Sequence, residues 1–153
     1  MTLDKYDTLI LEALQRDGRI SNKQLAEEVS LSESSCLRRV RALEESDVID
    51  RYAALLSQPK VGLPGNVFVH IGLTREVESD LAAFEQAVRD IPEVMECYLM
   101  SGEFDYLLRV VVSDMADFER IHKTELTRLP GVARVNSSFA IRTVRRKTEL
   151  PLR

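Results

Sequence analysis

The sequence predicts an α+β protein in two parts, a helical N-terminal arm and a C-terminal antiparallel βαββαβ domain, and three observations predict it. Serines placed to cap helices, Ser21 and Ser32, divide the first fifty residues into three short amphipathic segments. A run rich in Pro and Gly, from Ser57 through Pro59, Gly62, Pro64 and Gly65, then reads as a linker. Beyond it, Leu81-Ala82-Ala83-Phe84-Glu85 and Ile91-Pro92-Glu93-Val94 recur as Met115-Ala116-Asp117-Phe118-Glu119 and Leu129-Pro130-Gly131-Val132.

The first helix is expected from about Asp4 to Gln15, with Leu9, Ile10, Ala13 and Leu14 on one face and Asp17-Gly18 ending it. Ser21 caps a two-turn helix over Asn22 to Val29, whose apolar stripe is Leu25, Ala26 and Val29. Ser30-Leu31-Ser32 breaks the chain. Ser32 caps a third helix from Glu33 to about Ser46, where Glu33 faces the positive end of the helix dipole. At 3.6 residues per turn, Cys36, Leu37, Val40 and Leu43 share the side expected in the core. Ser34, Ser35, Arg38, Arg39, Arg41 and Ala42 take the opposite arc. Val48 to Leu56 reads as a short strand leading into the linker.

In the second half, strand-rich runs flank each repeated helix: Val67 to Leu73, Val94 to Met100, Phe104 to Val112, and Val132 to Val144. Two such halves build a ferredoxin-like sheet with both helices on one face. On the third strand Phe104, Tyr106, Leu108, Val110 and Val112 alternate toward the helices, leaving Glu103, Asp105, Leu107, Arg109 and Val111 on the other face. An open face with Leu and Val among charges is a candidate homodimer surface. The expected domains are therefore 1–50, a helix-turn-helix arm; 51–65, strand and linker; and 66–153, the ferredoxin-like assembly and effector domain.

Composition narrows the function. With 153 residues, 44% apolar and 30% charged, the chain can bury a core without disulfides, and disorder is not expected. Its longest apolar runs, such as Val110 to Val112, fall far short of the ~20 residues of a membrane span. Acidic residues near Met1 do not suit a secretory signal, so a cytoplasmic location is expected. Cys36 and Cys97 stand far apart with no metal-ligand spacing, so neither a metal nor a disulfide is expected. The net charge of −4 argues against coating nucleic acid by bulk charge, which directs attention to local clusters. One is Arg38, Arg39 and Arg41. Another is Arg142, Arg145, Arg146, Lys147 and Arg153 against Glu149 alone, on what otherwise reads as a solvated tail.

A short helix, a tight turn and a polar-faced third helix match a reader of the DNA major groove. Arginine forks bond guanine or clamp phosphates, and Ser34 and Ser35 near the helix start approach bases or backbone. Which arginine does which stays open, as does a merely solvated arginine face with Arg41 paired to Glu45. In the second domain Asp105 is a carboxylate in a strand, and Gly102 beside it allows close backbone approach. The pair suits the ammonium and carboxylate of an amino acid. An edge Asp paired to Arg109 or to water is the alternative.

The stretch Leu31-Ser32-x-x-x-Cys36-Leu37-Arg38-Arg39-Val40-x-x-Leu43-Glu44 resembles the Lrp/AsnC family of feast/famine transcriptional regulators. So do Met100-Ser101-Gly102-Glu103-Phe104-Asp105-Tyr106-Leu107-Leu108-Arg109-Val110, the Leu129-Pro130-Gly131-Val132 turn, and the closing Thr148-Glu149-Leu150-Pro151-Leu152. The resemblance covers nearly the whole chain. It implies sequence-specific binding of double-stranded DNA by homodimers that associate further, often to octamers. It also implies an amino-acid effector held between dimers near Tyr98, Met100, Ser101, Gly102 and Asp105, with Ser137 and Ser138 from a neighbouring subunit, and no cofactor. Two other classes remain. An architectural DNA-binding protein without effector shares every feature of the arm, and a small ferredoxin-like enzyme would use His70, His122, Tyr98 and Asp105. No nucleophile-base spacing or metal motif supports the enzyme, and it leaves the arm unexplained.

Overall fold

The computed structural model describes residues 2–152 and divides the chain into two compact units. One holds the chain as far as Leu55 together with the residues from Arg145 on, and the other holds Leu56–Val144. Arg153 of the basic tail lies outside the described residues.

In the first unit α1 (Lys5–Arg16), α2 (Asn22–Glu28) and α3 (Glu33–Glu45) each begin at a side-chain cap. Asp4 accepts from the N–H groups of Tyr6 and Asp7, while Ser21 and Gln24 close a reciprocal capping box. Ile10, Leu25, Ala26, Cys36 and Leu43 form the centre of the core. Leu37 does not join it: at 38% exposure it stands outside, beside Ser34 and Arg41 in helical spacing.

The strand expected over Val48 to Leu56 is absent. The N–H groups of Val48 and Ile49 both return to the carbonyl of Leu43 at 3.1 Å, closing the end of α3, with Asp47 at a φ of 56° in the turn. Residues 51–57 then run on without a ladder partner, and a strand exists only through one. Tyr52 instead donates to Glu44 at 3.0 Å. Burial and that carboxylate push its phenol up to about 12.

The tail, expected with the sheet domain, groups with the arm. The side-chain amide of Gln15 donates to the carbonyl of Leu150 at 3.1 Å and accepts from its N–H at 2.6 Å. Leu152 packs on the arm core.

The second unit has the order β1 (Gly65–Leu73), α4 (Glu78–Val88), β2 (Val94–Leu99), β3 (Tyr106–Val112), α5 (Met115–Thr124) and β4 (Val132–Phe139). Its antiparallel sheet is ordered β2-β3-β1-β4, which is the ferredoxin-like arrangement. Val67, Val69 and Ile71 of β1 and Tyr106, Leu108, Val110 and Val112 of β3 are buried with Phe84, Phe118 and Ile121 of the helices. Tyr106 stacks on Phe84 at 4.4 Å and donates to Glu85 at 2.8 Å. The last strand ends sooner than expected. Ala140 makes the final bond, to Asn66 at 3.0 Å, and β1 begins at Gly65, so Ile141 and Val144 have no strand to pair with and stand exposed.

Candidate functional site

In the arm, α2 and α3 are fixed at both ends of their turn. The side chain of Asn22 donates to the carbonyl of Glu33 at 2.9 Å, and the N–H of Leu31 reaches the carbonyl of Ala26 at 2.9 Å. Ser30 takes a φ of 58° between the helices. Ser32 accepts the N–H of Ser35 at 3.2 Å and shares a hydrogen bond of 2.9 Å with its hydroxyl, so Ser35 is engaged in capping and half-buried. Ser34, Arg38 and Arg41 are exposed. Among the described residues neither arginine makes an ion pair, and the local pairing of Arg41 with Glu45 does not form. Ser34, Leu37, Arg38 and Arg41 therefore share one stripe at i, i+3, i+4 and i+7. Leu37 is the member sequence reasoning placed in the core; that same spacing was the signal for it.

Arg39 departs from the stripe. Its guanidinium donates to Asp7 at 2.7 Å, lies 2.8 Å from Asp4, and sits over the ring of Tyr6 at 5.5 Å. It faces α1 because its position borders the arc of Leu43 and Cys36. The N–H of Asp7 and then the Arg39 guanidinium hold the Asp4 carboxyl below its ordinary range.

In the sheet unit the loop from Met100 to Asp105 joins β2 to β3. The N–H of Met100 bonds the carbonyl of Asp105 at 2.8 Å, and the N–H of Asp105 bonds the carbonyl of Ile71 at 2.9 Å. The Asp105 carboxylate accepts the N–H of Leu73 at 2.6 Å, where the pairing of β1 with β4 shifts register between Gly72 and Leu73. Arg109 is committed elsewhere, to Glu96 at 3.1 Å and Asn66 at 3.0 Å, which removes it as the partner of Asp105. Gly102 has a φ of +132°, a region only glycine enters readily, and the space where a Cβ would point is open. Among the described residues the N–H groups of Ser101, Gly102, Glu103 and Phe104 make no hydrogen bond. Tyr98 and Met100 are exposed beside the loop.

Register separates the two serines. Ser137 pairs with Val69, whose side chain faces the helices, whereas Ser138 pairs with Phe68 on the open face. They cannot line one face from one strand. Phe104 also departs from expectation: it lies 5.0 Å from His70 and 5.2 Å below the guanidinium of Arg134, off the helix face. The loop changes the strand parity before Tyr106, so alternation read back from β3 fails there. Gly72 leaves room for Arg134, whose Nε would lie 3.2 Å from a Cβ at that position. His122 is half-buried 5.9 Å from Phe118. Among the described residues no three His, Cys, Asp or Glu side chains gather as a metal site.

Comparison with known proteins matches both units. Residues 66–150 fit the family described as the Lrp/AsnC ligand binding domain, and residues 3–50 fit a winged helix-turn-helix DNA-binding family. The chain is 43% identical over 150 residues to the Bkd operon transcriptional regulator of Pseudomonas aeruginosa, covering 98% of each. It is 40% identical to the leucine-responsive regulatory protein of Escherichia coli, covering 99% of this chain and 92% of that one. Among solved structures it superposes, at a TM-score of 0.93 and 39% identity, on a transcriptional regulator of Neisseria meningitidis in complex with L-methionine, covering 98% of this chain and 97% of the other. No helix is long and apolar enough to cross a membrane among the described residues.

Proposed function

The chain belongs to the Lrp/AsnC family of transcriptional regulators, and on that premise we propose that it reads operator DNA through α3 and is switched by an amino acid held at the β2–β3 loop. The observation that carries the proposal is the presence, in one chain, of an exposed Ser34, Arg38 and Arg41 stripe and of a loop whose carboxylate and free N–H groups suit a zwitterion. Arg38 and Arg41 reach base edges or phosphates, Ser34 approaches the backbone, and Leu37 offers an apolar contact to a thymine methyl. Arg39 and Ser35 serve by holding α3 in place.

For the effector, Asp105 keeps one carboxylate oxygen for an α-ammonium while the other staples Leu73, and the N–H groups around Gly102 receive the α-carboxylate. Tyr98 and Met100 flank the side chain. Ser138, on the open face, suits a pocket completed by a neighbouring subunit; Ser137 supports its strand. The methionine held by the Neisseria relative supports an amino acid as the ligand class. Exposed Phe68 and Tyr98 on the open face favour a homodimer, and dimers assembling to an octamer give several arms to engage spaced DNA sites together. An amino acid that changes this association shifts which sites are occupied. The protein acts in the cytoplasm as a regulator, with no catalytic step.

A melting screen of the purified chain with the twenty amino acids tests this. One of them, at about 100 times its dissociation constant, adds ~2.7 kcal/mol of stability. Stabilisation by none would leave an effector-independent architectural protein.

A further inference from the structure

We infer that residues 145–152 form a strap of the DNA-binding unit whose cations contact DNA phosphates beside the recognition helix. The inference rests on the DNA-reading function above and extends it to a second element. Leu150 is clamped in both directions by the side-chain amide of Gln15, at 2.6 and 3.1 Å, and Leu152 is packed on the arm core. The side chains of Arg145, Arg146 and Lys147 stand exposed just before that clamp. Five residues of extended chain reach at most ~18 Å, so these cations stay near the end of α1 wherever the arm docks.

That end of α1 is the approach to α2. Thr148 shares a groove of about 610 Å³ with Arg16, Arg19 and Arg51, next to the turn that leads to the Ser21 cap. In a helix-turn-helix the helix before the reader crosses the phosphate backbone, so cations beside it meet phosphates rather than base edges.

Charge favours the same partner. Residues 1–55 carry eight basic and eleven acidic side chains, a net of −3 for a unit that approaches a polyanion. Of those bases, Arg16, Arg39 and Arg51 are held in ion pairs with Glu28, with Asp4 and Asp7, and with Asp50. The residues from 145 on add four basic side chains against Glu149, which brings the unit to neutrality. The far end of the chain thus adds positive charge to the arm beside that of Arg38 and Arg41.

The salt dependence of binding to a labelled 40-base-pair duplex of mixed sequence, followed by anisotropy from 50 to 200 mM NaCl, tests the strap. The variant R145Q/R146Q/K147Q, which keeps the Gln15 clamp, should lower the slope of log K against log salt by about 0.9 for each lost contact. Its affinity should fall alike on every sequence. A control, R89Q/K123Q/R128Q, removes the same charge from the sheet unit and should leave the slope near that of the wild type. An unchanged slope in the tail variant, or an equal fall in both variants, overturns the strap alone. A wild-type chain with no affinity for any duplex overturns the DNA-reading function and the strap with it.

Discussion

Arg39 of α3 donates to the carboxylate of Asp7 on α1 at 2.7 Å, and Asp7 is buried at 3% exposure. A buried carboxylate is tolerated only with such a partner. The pair spans thirty-two positions of sequence and fixes the rotation of α3 about its own axis, and hence the direction in which Ser34, Arg38 and Arg41 point. Arg39→Ala should therefore destabilise the arm by about 2 to 3 kcal/mol. This is below the ~3 to 5 kcal/mol of a fully buried pair, because Arg39 keeps some exposure and Asp7 still accepts the N–H of Asp4. Denaturation of Asp7→Asn, Arg39→Ala and the double variant checks it, and a coupling energy near zero would refute the latch.

Arg38→Ala and Arg41→Ala should behave in the opposite way. Among the described residues both side chains are exposed without an ion pair, so melting should stay within about 0.5 kcal/mol of the wild type. Operator affinity should fall by ~1 to 3 kcal/mol for the arginine that reads a base, with specificity relaxed at one position. Footprinting across single-base operator variants distinguishes that arginine from one that only clamps phosphate. Wild-type affinity in both variants would exclude α3 as the reader.

What the sequence could tell depended on the range of each interaction. The caps at Ser21 and Ser32 bond groups within three residues, so the three helices were legible. The βαββαβ order was legible because its repeat places apolar residues such as Phe84 and Phe118 at matching points. Arg39 was misread because its partner is set by how α1 packs on α3, and the return of Leu150 to Gln15 crosses 135 positions without any local signal. The run from Val48 to Leu56 reads as a short strand ahead of the linker, yet residue types supply no ladder partner. The opposite facing of Ser137 and Ser138 was legible from the two-residue period alone.

Asp4 gives the arm a pH dependence of defined sign. The N–H of Asp7, then Arg39, hold its carboxyl below the ordinary value of 3.8 in the folded chain. A carboxyl depressed on folding contributes stability above its unfolded value, and that contribution is lost as pH falls through its folded value. Asp4→Asn keeps an N-cap acceptor without the charge. The wild type should exceed this variant in melting temperature at pH 6, and the two should converge as pH falls below about 3.8. A difference that stays constant from pH 6 to pH 2.5 would mean that the charge of Asp4 plays no part.

Asp105 has one observed role, at the register shift of β1, and one proposed role, at the effector, which a single substitution would confuse. One oxygen staples the N–H of Leu73 at the register shift of β1, and the other is proposed to hold the ammonium of the effector. Asp105→Ala removes both, so it should cost ~1 to 3 kcal/mol of stability through the orphaned Leu73 N–H as well as the ligand. Asp105→Asn keeps an acceptor for Leu73 and removes only the charge, so its stability should stay within about 1 kcal/mol of the wild type. Loss of one partner of a desolvated charge pair costs ~2 to 5 kcal/mol, which lowers affinity at least ~30-fold. Calorimetric titration with whichever amino acid stabilises the wild type should therefore find binding lost in both variants. If the Asn variant binds as the wild type does, Asp105 is only a staple of the bulge, and the ammonium must be held by another group of the loop.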